Sequence, residues 1–484
     1  MKKSEKSLPL DCWCNPLDLE NYPIGFLSPG RKKLSPQDFM NYSGPPRDFR
    51  EMADPEVLYD NGKWYMFPSV GEVYVSGDLA HWQYHKIEFA NGEKLGYAPT
   101  ITRCKGRYLL SSSWPFAGKA EILAADSPLG PYHSLGTPVD EDNIPLGPEW
   151  LDPMLFTDED DRLYAYWYYS GSGDSVYGIE LDSDNPVQGI GKPVRVLDFS
   201  PEIVFERYGD FNEHSDMTWL EGESMFKYNN EYYLQYSVGG TQFRSYAVGV
   251  ARSQSPLGPF VKQTTPVARE KHGRVCGTGH GCWCQGPDNT VWQFYTVLNR
   301  RIHIFERRLG MDKVEFDQAG NAHVKITAVP QSVSGGDLGL LPVSVCKKAW
   351  ASSSYGCCYP GFAVDDCTHT WWMPEPDDQA PWLEINLQQE FCISAFQVIW
   401  AEEGVDLKNN ILPEAAKYKL EFFRGDKEKT PVAVWDYTQN NKDLLIDFRT
   451  HDTVQAQYVK LSFMPSENPA LHRGVNNFTL FGSR

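Results

Sequence analysis

Nowhere in this chain of 484 residues do about 18 apolar residues follow one another, so no segment reads as a membrane-spanning helix. Positive charge is scarce as well: 45 Lys and Arg face 64 Asp and Glu, a formal net charge of −19. A protein that grips the phosphate backbone of nucleic acid needs the opposite balance, so the charge argues against such a partner. Lys2, Lys3 and Lys6 are not followed by the apolar run of an export signal; Pro9, Asp11, Asn15 and Asp18 come instead. Cysteine lacks the regular spread of a disulfide framework. Its 11 residues are an odd number, and the close couples Cys12/Cys14, Cys282/Cys284 and Cys357/Cys358 lack the CxxC-like spacing that zinc sites favour. Reduced thiols are the expectation, and with no export signal they point to the cytoplasm.

Aromatic residues and turn formers are plentiful. Aromatics make up 14% of the chain, with 15 Trp and 26 Tyr, beside 40 Gly and 34 Pro. Short aromatic runs broken by turn residues favour an all-β architecture, and the length exceeds the ~250–300 residues at which single cores stop growing. One pattern recurs five times: a turn containing Gly, Asn or Asp, then an aromatic strand. The copies are Asp60-Asn61-Gly62-Lys63-Trp64-Tyr65, Cys104-Lys105-Gly106-Arg107-Tyr108, Asp158-Glu159-Asp160-Asp161-Arg162-Leu163-Tyr164, Tyr228-Asn229-Asn230-Glu231-Tyr232-Tyr233 and Pro287-Asp288-Asn289-Thr290-Val291-Trp292. Ser127-Pro128-Leu129-Gly130-Pro131 also returns as Ser255-Pro256-Leu257-Gly258-Pro259. Hairpins repeated at such intervals suit the blades of a propeller; an irregular β-sandwich with similar turns is the alternative. The pattern predicts a five-bladed β-propeller over residues 45–335, preceded by an N-terminal extension, 1–44. A linker, 336–344, then leads to a β-sandwich, 345–484, whose runs, such as Trp382–Leu387 and Tyr418–Phe423, alternate apolar and polar residues.

Three acidic residues sit just upstream of a blade's first strand: Asp54 in Ala53-Asp54-Pro55, Asp152 in Leu151-Asp152-Pro153 and Glu221 in Leu220-Glu221-Gly222-Glu223. The innermost strands of a propeller line its axis, so equivalent starting positions converge on one axial pocket. Glycosidic hydrolysis needs such a set. One carboxylic acid protonates the leaving oxygen, one carboxylate takes a proton from water, and a third raises the pKa of the acid through like charge. Glu223 is the nearest competitor for the place of Glu221.

In order and spacing these motifs, with Gly277-Thr278-Gly279-His280 before the fifth blade, resemble glycoside hydrolase family 43, the five-bladed arabinosidases and xylosidases. The resemblance implies an inverting exo-glycosidase that releases terminal α-L-arabinofuranosyl or β-D-xylosyl residues from oligosaccharides derived from plant polysaccharides. Asp54 would be the general base, Asp152 the pKa modulator and Glu221 the general acid. It implies substrate contacts from His280, Arg301 and Trp114, with Trp64, Trp150 and Trp167 as further stacking candidates. No cofactor would be required, although a calcium or sodium ion could sit at the axis, held by His280 directly or through water. The chain departs from the family at Glu223, where the acid motif usually has Pro.

Residues 351–355, 363–366, 370–372 and 381–387 resemble a coagulation-factor-5/8 type C (discoidin-like) domain, which implies a jelly-roll β-sandwich that either binds glycan through loop aromatics or buttresses the catalytic unit. Two readings compete with the glycosidase above: a non-catalytic carbohydrate-binding propeller, and a β-galactosidase of the same family. A retaining enzyme of a neighbouring family is a third.

Overall fold

A computed structural model describes residues 8–31, 47–70, 72–113, 120–147, 150–169, 174–425 and 430–484. Five four-stranded antiparallel sheets follow one another, each with its strands in sequence order. Blade I holds Glu56–Asp60, Lys63–Phe67, Glu72–Ser76 and Trp82–Lys86; blade II holds Thr100–Cys104, Arg107–Ser111, Ile122–Ala125 and His133–Gly136. Blade III runs from Leu151–Thr157 to Gly189–Asp198, blade IV from Glu221–Tyr228 to Val261–Lys262, and blade V from Trp283–Gln285 to Ala322–Val324. The first strands of successive blades pack side by side, and that of blade V returns to that of blade I, which closes the ring.

Local chemistry sets the hairpins. All five turns singled out above join a blade's first and second strands. They place Asn61, Gly62, Lys105, Gly106, Asp161, Asn229, Asn230 and Asn289 at positive φ, where Gly, Asn and Asp are tolerated best. Aromatic and aliphatic side chains on both faces of each sheet then fill the wedges between blades. Met154, Tyr164 and Tyr166 of blade III, for example, pack with Met225, Leu234 and Tyr236 of blade IV. Because second strands run antiparallel to the first, the start of every first strand and the end of every second strand open on the same face of the disc.

The C-terminal unit is one seven-stranded antiparallel sheet, dominated by the long strands Trp382–Glu403 and Ile446–Phe463. Register shifts between Asn386 and Phe391 and between Ile393 and Ala395 mark where these strands pass from one set of partners to another.

The N-terminal segment is built into the molecule. Cys12–Trp13 pairs with Gln331–Ser332. Asn15, fully buried, uses its amide to mimic a strand: Nδ2 donates to Met311 O at 2.9 Å and Oδ1 accepts from Met311 N at 2.9 Å. Trp13, Leu17 and Leu19 belong to the apolar cluster that runs from blades V and I into the C-terminal sheet.

Candidate active site

Asp54, Asp152 and Glu221 meet on the face where the first strands begin. The first strands of blades III and IV each carry a register shift at the acidic residue, between Leu151 and Met154 and between Glu221 and Ser224. Such bulges re-aim side chains that a regular pleat would send into the blade wedges. Asp54 and Asp152 also stand at positive φ, +52° and +45°, and His280 stands at +36°. Non-glycine residues are strained there, and strain of this kind gathers at functional sites. His280 links two of the acids: its Nδ1 lies 3.3 Å from Asp54 Oδ1 and 3.6 Å from Asp152 Oδ2. Tyr246 donates its hydroxyl to Glu221 Oε1 at 3.1 Å.

The three carboxyls have unlike surroundings. Burial pushes Asp54 up, but Arg307, 3.0 Å away, outweighs it together with His280 and the hydroxyls of Ser69 and Thr296. The group ends below the ordinary carboxylate range and stays ionised. Burial pushes Glu221 well above that range, and the negative charges of Asp152 and Asp54 push it further, which leaves a protonated acid. Asp152 lies between: burial and Asp54 raise it, against the pull of His280 and Ser113. One ionised carboxylate facing a proton-bearing one is the division of labour that hydrolysis of a glycosidic bond demands.

The sequence profile of the glycosyl hydrolases family 43 matches residues 50–321, more than half of the chain. The chain belongs to this family. Among curated relatives of this glycoside hydrolase is a β-D-galactofuranosidase of Aspergillus niger, 26% identical over 303 residues that cover 55% of the chain and 80% of the relative. A xylan 1,3-β-xylosidase of a Vibrio species is 27% identical over 286 residues, 51% of the chain and 48% of the relative. A solved thermostable family-43 glycoside hydrolase superposes with a TM-score of 0.50 at 22% identity, covering 59% of the chain and 96% of that structure, a likeness of fold.

Several residues of this family-43 site escaped the sequence reading. Arg307 is one, and it corrects an expectation. Arg301, for which the resemblance implies a substrate contact, lies away from the three acids at the edge of the cavity beside the C-terminal unit, donating to Glu402 O at 2.5 Å and lying over the Trp371 ring at 5.2 Å. The arginine on Asp54 is six positions later, beyond the turn that starts the third strand of blade V. A set of hydroxyls is the other omission. Ser69 donates to Asp54 Oδ2 (2.6 Å), Ser113 donates to Asp152 Oδ1 (2.8 Å), Ser237 accepts from His280 N (2.7 Å) and Thr296 accepts from Asp54 N (2.9 Å). Each lies seven positions beyond a positive-φ turn residue: Gly62, Gly106, Asn230 and Asn289. Seven residues of extended chain carry the second strand from the turn across the disc to the catalytic face, so the spacing was a readable signal. In blade III the same position is Tyr168, which donates to Asp174 instead.

Trp64, Trp150 and Trp167 are buried in blade cores and offer no sugar platform; Trp114 lies outside the described residues. Glu223 is buried, with no hydrogen-bond partner for its carboxyl oxygens among the described residues. Burial and the charge of Asp152 push it well above the ordinary range. Among the described residues no group of three or more His, Cys, Asp and Glu is arranged to hold a metal. His280 Nδ1 is turned to the carboxylates of Asp54 and Asp152, which leaves Nε2 as the ring nitrogen for an axial ion or its water.

Proposed function

We propose that the protein is an inverting exo-glycosidase that removes terminal α-L-arabinofuranosyl or β-D-xylosyl units from oligosaccharides of plant origin. The observation that carries this reading is the opposed state of two carboxyls on one face, Asp54 held ionised by Arg307 and Glu221 held protonated by burial. Glu221 gives its proton to the leaving oxygen while Asp54 takes one from the attacking water. Asp152, through its charge, helps keep Glu221 protonated. Inversion requires the acid and base carboxyls to stand about 6.5–9.5 Å apart, leaving room for that water. The seven-stranded C-terminal sheet, with two long strands that change partners at bulges, supports a discoidin-like jelly roll. An experimental structure in which Trp382–Glu403 and Ile446–Phe463 do not bend between two packed layers would contradict that fold.

The test is hydrolysis of p-nitrophenyl α-L-arabinofuranoside, β-D-xyloside, β-D-galactofuranoside and β-D-galactoside, with the anomer of the first product followed by NMR. Asp54→Asn and Glu221→Gln should each lower kcat by about 10²–10⁴ on natural glycosides. Product of retained configuration would reject inversion. Activity on natural glycosides that survives Glu221→Gln would move the acid to Glu223. Turnover of a galactoside alone would reassign the sugar.

A further inference from the structure

We infer that the catalytic face carries a second subsite, a cationic cavity between blades IV and V and the C-terminal unit, which binds the carboxylate of an acidic sugar on the leaving-group side of the scissile bond. Its role in catalysis rests on the glycosidase reading above; its ligand chemistry does not.

Position comes first. The cavity measures about 690 Å³, and its propeller wall comes only from loops on the face that holds Glu221. Asp210 and Phe211 precede the first strand of blade IV, and Arg244 lies between its second and third strands. Lys271 and Arg300 hold the matching places in blade V. One loop joins cavity to catalytic centre: Arg244 faces the cavity, Tyr246 bonds Glu221, and Thr241 accepts from Arg307 at 3.3 Å. An acid that protonates the leaving oxygen has the leaving group beside it, so the cavity lies on the side toward which the rest of the substrate extends.

Charge comes next. The chain has a net charge of −19, yet Asp210 is the sole acidic residue lining this cavity. Arg301, at its edge, already faces Glu306 at 3.6 Å and Glu403 at 3.9 Å. Arg244, Lys271 and Arg300 have no carboxylate within ion-pair distance among the described residues; the side chain of Arg244 meets His369 Nδ1 at 3.1 Å, and that of Arg300 donates to Gln242 O at 3.1 Å. The field acts on that histidine: burial first, then Arg244 and Arg300, push His369 down to about 4, so it is neutral near pH 7 and can accept from Arg244. The carboxylates of Asp210 and Glu213 act on Lys271, so a neutral saccharide would leave the two arginines unanswered, whereas a carboxylate matches their planar fork. Phe211, 83% exposed, lies beneath Lys271 at 5.8 Å and offers an apolar face for a sugar ring. Cations and an aromatic face together suit a uronosyl unit better than a free inorganic anion.

Calorimetry on the Glu221→Gln protein tests this without turnover, with xylotriose carrying a glucuronosyl branch against plain xylotriose as probes. The branched sugar should bind about ten- to a hundredfold tighter at low salt, as expected of hydrogen bonds to a charged group. Arg244→Gln and Lys271→Gln should each shrink that ratio several-fold, and so should added sodium chloride. Lys271 is half-exposed, so its substitution reads the site even if Arg244→Gln disturbs the contact with His369. Equal affinities, or a preference untouched by both variants and by salt, would overturn the subsite. A preference in a protein that cleaves none of the p-nitrophenyl glycosides would leave the subsite standing and count against the arabinofuranosyl or xylosyl reading instead.

Discussion

Gly222 follows the proposed acid, and its conformation shows how little room the site leaves. It stands at φ +65°, and a Cβ there would lie 2.8 Å from His280 Cγ, 2.9 Å from His280 Nδ1 and 2.9 Å from Ser237 Oγ. Gly62, in the first hairpin, has φ +78° with nothing within 4 Å of such a Cβ. Alanine at position 62 should therefore reduce stability by about 1–2 kcal/mol, from backbone conformation alone, and leave kcat intact. Gly222→Ala carries the same strain and also displaces His280 from Asp54 and Asp152. We expect a further loss of stability and a fall in kcat of about a hundredfold. Urea unfolding and kcat measured on both variants check this; equal kcat values would show that His280 does not hold the acids in place. The charge on Arg307 leads to a second prediction. Activity needs Asp54 ionised and Glu221 protonated, so the profile of kcat/KM against pH is bell-shaped, with Asp54 on the acid side. Arg307 is the foremost influence lowering Asp54 and only a minor one on Glu221. Arg307→Gln should move the acid limb to higher pH, with a smaller move of the alkaline limb in the same direction. An unmoved acid limb would remove Asp54 from the role of base.

At the scale of elements, the sequence and the structure meet where the physics is local. Asn61-Gly62, Asn229-Asn230 and their counterparts were legible as hairpins because a turn at positive φ restricts residue type on the spot. The three acids were legible because each opens a blade in the same way. The hydroxyls behind them are just as regular, but they appear only when positions are counted along the second strand from the turn. Arg301 and Arg307 could not be told apart, since both follow blade V's second strand and only the third strand's starting point decides which meets Asp54. The N-terminal segment was the least legible element. Its mixed stretch, Cys12 to Leu19, gives no sign of a strand partner some 300 residues away. Asn15 shows how firmly it is seated: Asn15→Ala would leave the backbone N–H and C=O of Met311 without these partners, inside a buried region. Stability should fall by about 2–6 kcal/mol, about 1–3 for each orphaned group. Asn15→Asp should fare worse, because Asp312 Oδ2 lies 3.1 Å from Nδ2 and burial already raises Asp312 to about 7. A loss under 1 kcal/mol in denaturant unfolding would mean that the segment merely lies on the surface of blade V.

At the scale of the whole molecule, the propeller and the C-terminal unit are joined through buried charge as well as apolar contact. Arg50, at the entrance to blade I, donates to Tyr22 O at 3.0 Å, Glu402 at 2.9 Å and Asp443 at 2.7 Å, with its side chain 3% exposed. On the far side Arg274 reaches Gln397 at 3.1 Å and Asp366 at 2.9 Å. The catalytic face is thus braced by a unit that contributes no acid to the centre. Removing one partner of a buried ion pair leaves uncompensated charge, so Arg50→Ala should destabilise the protein by about 3–5 kcal/mol at neutral pH. The pH dependence separates this cause from lost packing. Burial pushes Glu402 up, but Arg50 and Arg473 outweigh it and hold the group below its ordinary value. A carboxyl lowered on folding stabilises above its unfolded pKa, and that stability is lost as pH falls through the folded pKa. Without Arg50 the folded pKa of Glu402 rises, and mild acid then neutralises the stranded carboxylate. The gap between wild type and Arg50→Ala should therefore be widest near pH 7 and narrow as pH approaches the carboxylate range, where the charges that Arg50 balances disappear. Scanning calorimetry at several pH values measures that gap; a gap that stays constant with pH would assign the role of Arg50 to packing.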